Sequence, residues 1–219
     1  MMDLADATLD ELRIALAPAV AANAAFDGWN ALAVDSAADA AGVDRDVANL
    51  AFSGGPVAMI DAWFASIDAA MLERFTPEEL AGMKIRQRIT ALVEARLALV
   101  APYRDALARA LAILAMPQNA IRAARLGWRA ADTMWRAAGD TATDYNHYTK
   151  RAILAGVYGA TVTVFLNDES DGHAETRAFL ARRIEGIMRF EKTKAQFIAR
   201  TENRPSLSRF IGRLRYPVV

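Results

Sequence analysis

Apolar residues recur along the chain at spacings of three and four, in segments divided by glycine, proline and acidic turns. No segment alternates with the period of two expected of a half-buried strand. The pattern predicts helices throughout. Over residues 9–24 it sets Leu12, Leu16, Ala19 and Val20 near one face, and Pro18 is expected to kink that helix. After the turn Phe26-Asp27-Gly28-Trp29, helical spacing resumes over 30–41 through Leu32 and Val34. Asp44 stands where it can cap a short helix over 45–52, Ser53-Gly54-Gly55 stops that helix, and Pro56 suits the first turn of the next. That next helix is predicted to reach Phe75, with Met59, Ile60, Trp63, Phe64, Ile67 and Met71 directed inward.

Thr76-Pro77-Glu78-Glu79 is a capping run, and the residues after it predict one amphipathic helix over 77–101, through Leu80, Met83, Ile85, Ile89, Leu92, Val93, Leu97 and Val100. Lys84, Arg86 and Arg88 read as its solvated basic face. Pro102 opens a segment ending at Leu114, and Pro117 starts a helix in which Trp128 and Trp135, seven residues apart, share nearly one face. The polar connector Gly139-Asp140-Thr141-Ala142-Thr143 follows. Behind it Asp144, Tyr145, Asn146, His147, Tyr148, Thr149, Lys150 and Arg151 crowd into about two turns, more bulk and charge than a helix can bury. They read either as a helix start capped by Thr143 or Asp144, or as a surface for a ligand or partner. A polar loop over 167–172 precedes a long helix over 173–199. At the end of the chain Leu207, Phe210, Ile211 and Leu214 form a short apolar stripe, with Arg209, Arg213 and Arg215 on other faces. Such a segment suits a membrane surface, a partner, or packing on its own domain.

Composition narrows the chemistry. With 54% apolar residues, dominated by alanine and leucine, the expected fold class is all-α. There is no cysteine, which removes disulfides, thiolate nucleophiles and thiolate zinc sites, and there are only two histidines, His147 and His173. Asp144 and His147 with Asp168, Asp171 or His173 make a weak ligand set, and the Glu-x-x-His pairs of a di-iron bundle are lacking. No phosphate-binding glycine motif and no strained nucleophilic serine turn occurs, so neither an enzyme nor a metal cofactor is expected. The start, MMDLADATLDELR, has no basic segment and apolar core, so no leader is expected in it, and no apolar run has the roughly 18 to 20 residues needed to span a bilayer. A net charge of zero conceals an uneven distribution: residues 1–61 hold ten acids and two bases, a net of −8, and the remainder carries +8.

The run AADAAGVDRDVANLAF followed by GGPVAMIDAWF resembles the N-terminal helix-turn-helix of TetR-type repressors. A transcriptional regulator sensing an apolar effector is therefore the alternative reading. Charge opposes it, because a recognition helix opening Asp44-Arg45-Asp46 meets a polyanion with the wrong sign. Further on, Ala152, Ala155, Gly156, Gly159 and Ala160 thin out one helix, so that either neighbouring helices approach closely or an apolar ligand fills the space.

The segments AILAMPQNA, WRAADTMWRAAGDTATDYNHYTKRAILAGVY, FLND and AFLARRIEGIMRFEK are similar to the ubiquinone-biosynthesis accessory lipid-binding family known as the ninth coenzyme-Q protein. The resemblance is close over 111–195, and the TetR-like start and basic amphipathic end fit the same family. It implies a dimeric TetR-like helical bundle that does not bind nucleic acid. It further implies a non-catalytic protein that takes up a lipid or isoprenoid quinone intermediate at the membrane and presents it to the di-iron demethoxyubiquinone hydroxylase. On that basis the partner surface falls on Met134, Trp135, Asp144, Tyr145, Asn146, His147, Tyr148, Thr149, Lys150 and Arg151. The lipid cavity falls on Trp128, Ala155, Gly156, Gly159, Val162 and Phe165, and membrane contact on Leu207, Arg209, Phe210, Ile211, Arg213 and Leu214. The chain departs from the family pattern with Tyr145 in place of the usual phenylalanine and His147 in place of the usual tryptophan, which weakens the expected apolar contact. The expected organisation is a degenerate helix-turn-helix unit over 1–55, a lipid-binding domain over 56–201 and an amphipathic tail over 202–219. The expected location is the bacterial cytoplasm, peripheral on the inner membrane.

Overall fold

A computed structural model describes residues 7–141, 143 and 145–202. Among the described residues there is no strand; the helices are α1 Leu9–Asp27, α2 Ala31–Ala41, α3 Arg45–Ala51, α4 Pro56–Leu72, α5 Pro77–Gly82, α6 Ile85–Val100, α7 Arg104–Leu114, α8 Ala120–Ala137, α9 Tyr145–Asn167 and α10 Ala174–Glu202. The chain divides into one unit of residues 1–180, holding α1 to α9 and the start of α10, and a second of residues 181–219, whose described part is the remainder of α10. No single described helix is long and apolar enough to cross a membrane.

Local signals in the sequence set most of the helix starts. Thr8 and Glu11 close a capping box on α1, as Thr76 and Glu79 do on α5. The Asp44 carboxylate accepts from the Asp46 and Val47 amides at 2.9 and 3.1 Å, and Pro56 is the first residue of α4. α1 runs through Pro18 to Asp27, beyond the expected end at 24. Pro18 is exposed, so the amide bond it omits lies on the solvent side, where water can serve the freed carbonyl.

α1 is the axis of the first unit. Its buried Leu12, Leu16, Ala17, Val20, Ala21 and Ala24 face α2, α3, α4 and α7. Trp29 locks this arrangement: its indole Nε1 donates to the Ala106 carbonyl of α7 at 3.0 Å, and its ring lies 5.4 Å from Trp63 of α4. Deeper along α4, Asp68 meets the guanidinium of Arg96, which is buried on α6 and lies 5.1 Å from the Tyr158 ring of α9. A buried ion pair of this kind joins α4 and α6 and leaves a severe penalty if either partner is lost.

The single helix expected over 77–101 is two helices. Met83 and Lys84 are extended between α5 and α6. Arg88 stabilises the break, donating from Nε to the Met83 carbonyl at 3.0 Å, from one terminal nitrogen to Ala81 O at 3.0 Å and from the other to Ala138 O at 2.8 Å. The side chain expected to be solvated instead satisfies carbonyls at the ends of both α5 and α8.

Candidate functional site

α8 and α9 form a hairpin across the connector that begins at Ala138. The connector is closed by charge. Arg151, 1% exposed, directs Nε to Asp132 Oδ1 of α8 at 2.5 Å and a terminal nitrogen to Asp140 Oδ2 at 3.0 Å, and that nitrogen also reaches the His147 carbonyl at 3.1 Å. Lys150 Nζ binds the other Asp140 oxygen at 2.7 Å, and Arg136 Nε binds Asp132 Oδ2 at 2.8 Å. Burial acts to raise both carboxyls, but the hydrogen bonds and charges of Lys150 and Arg151 at Asp140, and of Arg151 and Arg136 at Asp132, hold them below the ordinary aspartate range.

Upon this clamp sits an aromatic surface. Trp135 Nε1 donates to the Lys150 carbonyl at 3.0 Å, and Lys150 Nζ lies 5.3 Å from the Trp135 ring centroid, a cation over an aromatic face. Tyr148, 62% exposed, has the ring of Trp128 of α8 at 6.1 Å and that of His147 at 5.1 Å. The expected partner residues therefore divide by depth. Trp135, Asn146, His147, Tyr148 and Lys150 reach the outside or are half-buried, while Met134 and Arg151 are buried beneath them and support the surface from below. Asp144 and the side chain of Tyr145 lie outside the described residues.

The residues expected to line a cavity differ in exposure. Trp128 belongs to the aromatic surface beside Tyr148. Gly156 and Gly159 lie on an exposed face of α9 together with Ala152 and Ala160, and a Cβ built on either glycine meets no atom within 4 Å. Ala155 is half-buried, while Val162 and Phe165 are buried, Phe165 between His173 at 4.8 Å and the Arg104 guanidinium at 5.2 Å. Leu207, Arg209, Phe210, Ile211, Arg213 and Leu214 lie outside the described residues.

Two acids that hold the site together were not singled out as functional from the sequence. Asp140 reads in the sequence as part of the polar connector, and Asp132 stands four residues before Arg136, with which it pairs. The i,i+4 spacing is visible in the sequence, but the contact with Arg151 across the hairpin is not. Asp168, weighed as a metal ligand, has a structural role. Its carboxylate accepts from the Ser170 hydroxyl at 2.5 Å and amide at 2.9 Å and from the Thr176 hydroxyl at 2.6 Å and amide at 2.8 Å. Those bonds pull its carboxyl far below the usual value against the opposing effect of burial. Among the described residues no group of His, Asp and Glu side chains is arranged to hold a metal.

Fold and surface together define an all-α protein of TetR-like architecture. The structure resembles a TetR transcriptional regulator from Nitrosomonas europaea ATCC 19718 with a TM-score of 0.64, covering 80% of this chain and 96% of that one at 23% identity, a likeness of fold. Residues 120–191, which contain the whole α8–α9 hairpin, match the COQ9 family model. The chain is 33% identical over 177 residues to the mitochondrial ubiquinone biosynthesis protein COQ9 of Rattus norvegicus, covering 77% of this chain and 56% of the relative. It is 28% identical over 198 residues to that of Drosophila melanogaster, covering 89% and 60%. The chain resembles the COQ9 family, most directly over residues 120–191, and it spans about half the length of the curated relatives it matches. Those relatives are mitochondrial proteins and none is bacterial, which overturns the expectation of a bacterial cytoplasmic protein on the inner membrane.

Proposed function

We propose that the chain serves ubiquinone biosynthesis as a non-catalytic accessory protein, binding an isoprenoid quinone precursor and presenting it to the demethoxyubiquinone hydroxylase through the α8–α9 surface. The observation that carries this reading is the coincidence of the COQ9-matched segment with a partly exposed aromatic surface at Trp128, Trp135 and Tyr148, anchored by the Trp135 bond to the Lys150 carbonyl. Aromatic side chains are frequent binding hot spots, because burying one removes a large apolar area from water. The relatives' names supply the pathway, and the exposed Tyr148 supplies a group whose burial would reward a partner. Membrane contact through the tail over 202–219 and a homodimer belong to the same proposal. The regulator alternative gains no support from α3, where the only base, Arg45, is already paired with Asp39.

The test is a pull-down of the purified hydroxylase with wild-type chain and Trp135→Ala in parallel, accompanied by native mass spectrometry of the purified chain for co-purifying lipid. Retention of the hydroxylase by wild type and its loss in the variant is the expected result. Equal retention by both would move the contact elsewhere, and a chain free of lipid after purification from a quinone-producing host would remove the carrier role.

A further inference from the structure

α3 is seven residues long, and only Ala48 and Ala51 within it are buried. Val47 and Leu50, one turn apart, stand 41% and 58% exposed on its outer side. Arg13 Nε of α1 donates to the Ala51 carbonyl, at the C-terminal end of α3, at 2.8 Å. Burying Val47 and Leu50 would be favourable, and the fold of this chain leaves them in water.

The surroundings specify the sign of a partner. Arg13 and Arg45 are the bases among residues 1–61, and both are committed: Arg13 to Asp10 at 2.6 Å, Arg45 to both oxygens of Asp39 at 2.8 and 2.5 Å. The Arg45 hydrogen bonds hold the Asp39 carboxyl below its ordinary value. Among the described residues, Asp44 and Asp46, both exposed at the start of α3, take part in no ion pair, and the Asp44 carboxylate accepts from the Asp46 and Val47 amides. The result is an aliphatic centre with a carboxylate rim. Nucleic acid and anionic lipid are repelled by that rim, whereas a helix with an apolar stripe edged by lysine or arginine matches it in both properties.

We propose that the outer face of α3, with Val47 and Leu50 at its centre and Asp44 and Asp46 at its rim, docks a basic amphipathic helix of a partner protein. This surface lies on different elements from the α8–α9 site and stands independently of the role proposed there.

The probe is a fluorescein-labelled amphipathic peptide built of leucine and lysine, compared by anisotropy at physiological ionic strength with a scrambled peptide of identical composition. The expected result is binding of the amphipathic peptide to the full wild-type chain, weakened by about tenfold or more in Val47→Ser/Leu50→Ser and in Asp46→Lys. Thermal melts of both variants should match wild type, because all three positions are exposed; if the double variant melts early, Leu50→Ser alone serves in its place. Equal binding of the scrambled peptide, or unchanged affinity in the variants, overturns the proposal. So does a fall in sedimentation mass in the variants, which would make the face a contact between copies, or binding of duplex DNA or phosphatidylserine vesicles that the variants abolish.

Discussion

Arg151 of α9 and Asp140 of the connector are joined at 3.0 Å, and that contact closes the hairpin on which the candidate surface stands. Lys150 takes the other oxygen of the same carboxylate and Asp132 takes the rest of Arg151, so one buried guanidinium organises both helices. Because Lys150 also supplies the carbonyl that receives the Trp135 indole, the clamp and the aromatic surface share a single residue.

Arg151→Met should destabilise the chain by no more than about 3–5 kcal/mol, because Asp140 and Asp132 lose their shared guanidinium but keep Lys150 and Arg136. Arg151→Lys should recover part of that loss, since it retains the charge but not the forked geometry. Urea unfolding followed by circular dichroism measures both, and near-wild-type stability of the methionine variant would show that the clamp contributes little.

Asp132, Asp140 and Asp168 all have folded values depressed below those of unfolded aspartate. Their stabilisation is therefore fully present above the unfolded value near about 4, and is lost as pH falls through the folded values. Stability measured from neutral pH downward should be flat at first and then fall steeply on the acid side. Asp140→Asn should flatten that fall, and a variant with the wild-type acid slope would show that its ionisation is not linked to folding.

Arg88→Ala removes three hydrogen bonds to carbonyls of α5, the break after it and the end of α8. A loss of roughly 2 kcal/mol is expected, given that bonds from a charged donor are worth more than neutral ones. Hydrogen exchange should accelerate around residues 81–84 and 138–140 ahead of the remainder of the first unit.

Tyr148→Ala separates folding from association. With most of its side chain in water, the substitution should change stability by no more than about 0.5–1 kcal/mol. Binding to the hydroxylase, measured by titration calorimetry, should weaken by about tenfold or more.

Gly156→Ala and Gly159→Ala place a methyl group into open space on a helix. Each should raise the melting temperature, reflecting up to about 1 kcal/mol of helix propensity. A fall instead would show that this face of α9 is covered by another molecule in solution.

Much of the architecture could be read from short spacings. Thr8, Asp44, Pro56 and Thr76 announce their helices because capping involves groups within a turn of one another. The break at Met83 was not legible for the opposite reason: residues 77–100 keep a continuous helical apolar pattern, and the interruption is stabilised by Arg88 reaching Ala138, fifty residues away. Depth within the site was equally hidden. Met134 and Trp135 are neighbours in sequence, yet one is buried and the other half-exposed, and which is which depends on how α8 rolls against α4 and α9.

By itself the sequence determined the helical class, most of the helix starts, the acidic character of the N-terminal unit and the segment of the candidate surface. These follow from propensity, capping, charge and pattern within the chain. Only the tertiary structure decided that Gly156 and Gly159 face open space while Val162 and Phe165 are buried, that Arg151 underlies the surface and does not form its outer layer, and that Asp132 and Asp140 are its anchors. The physical reason is that periodicity locates a residue on a helix face, whereas burial and ion pairing depend on which other helix arrives at that face.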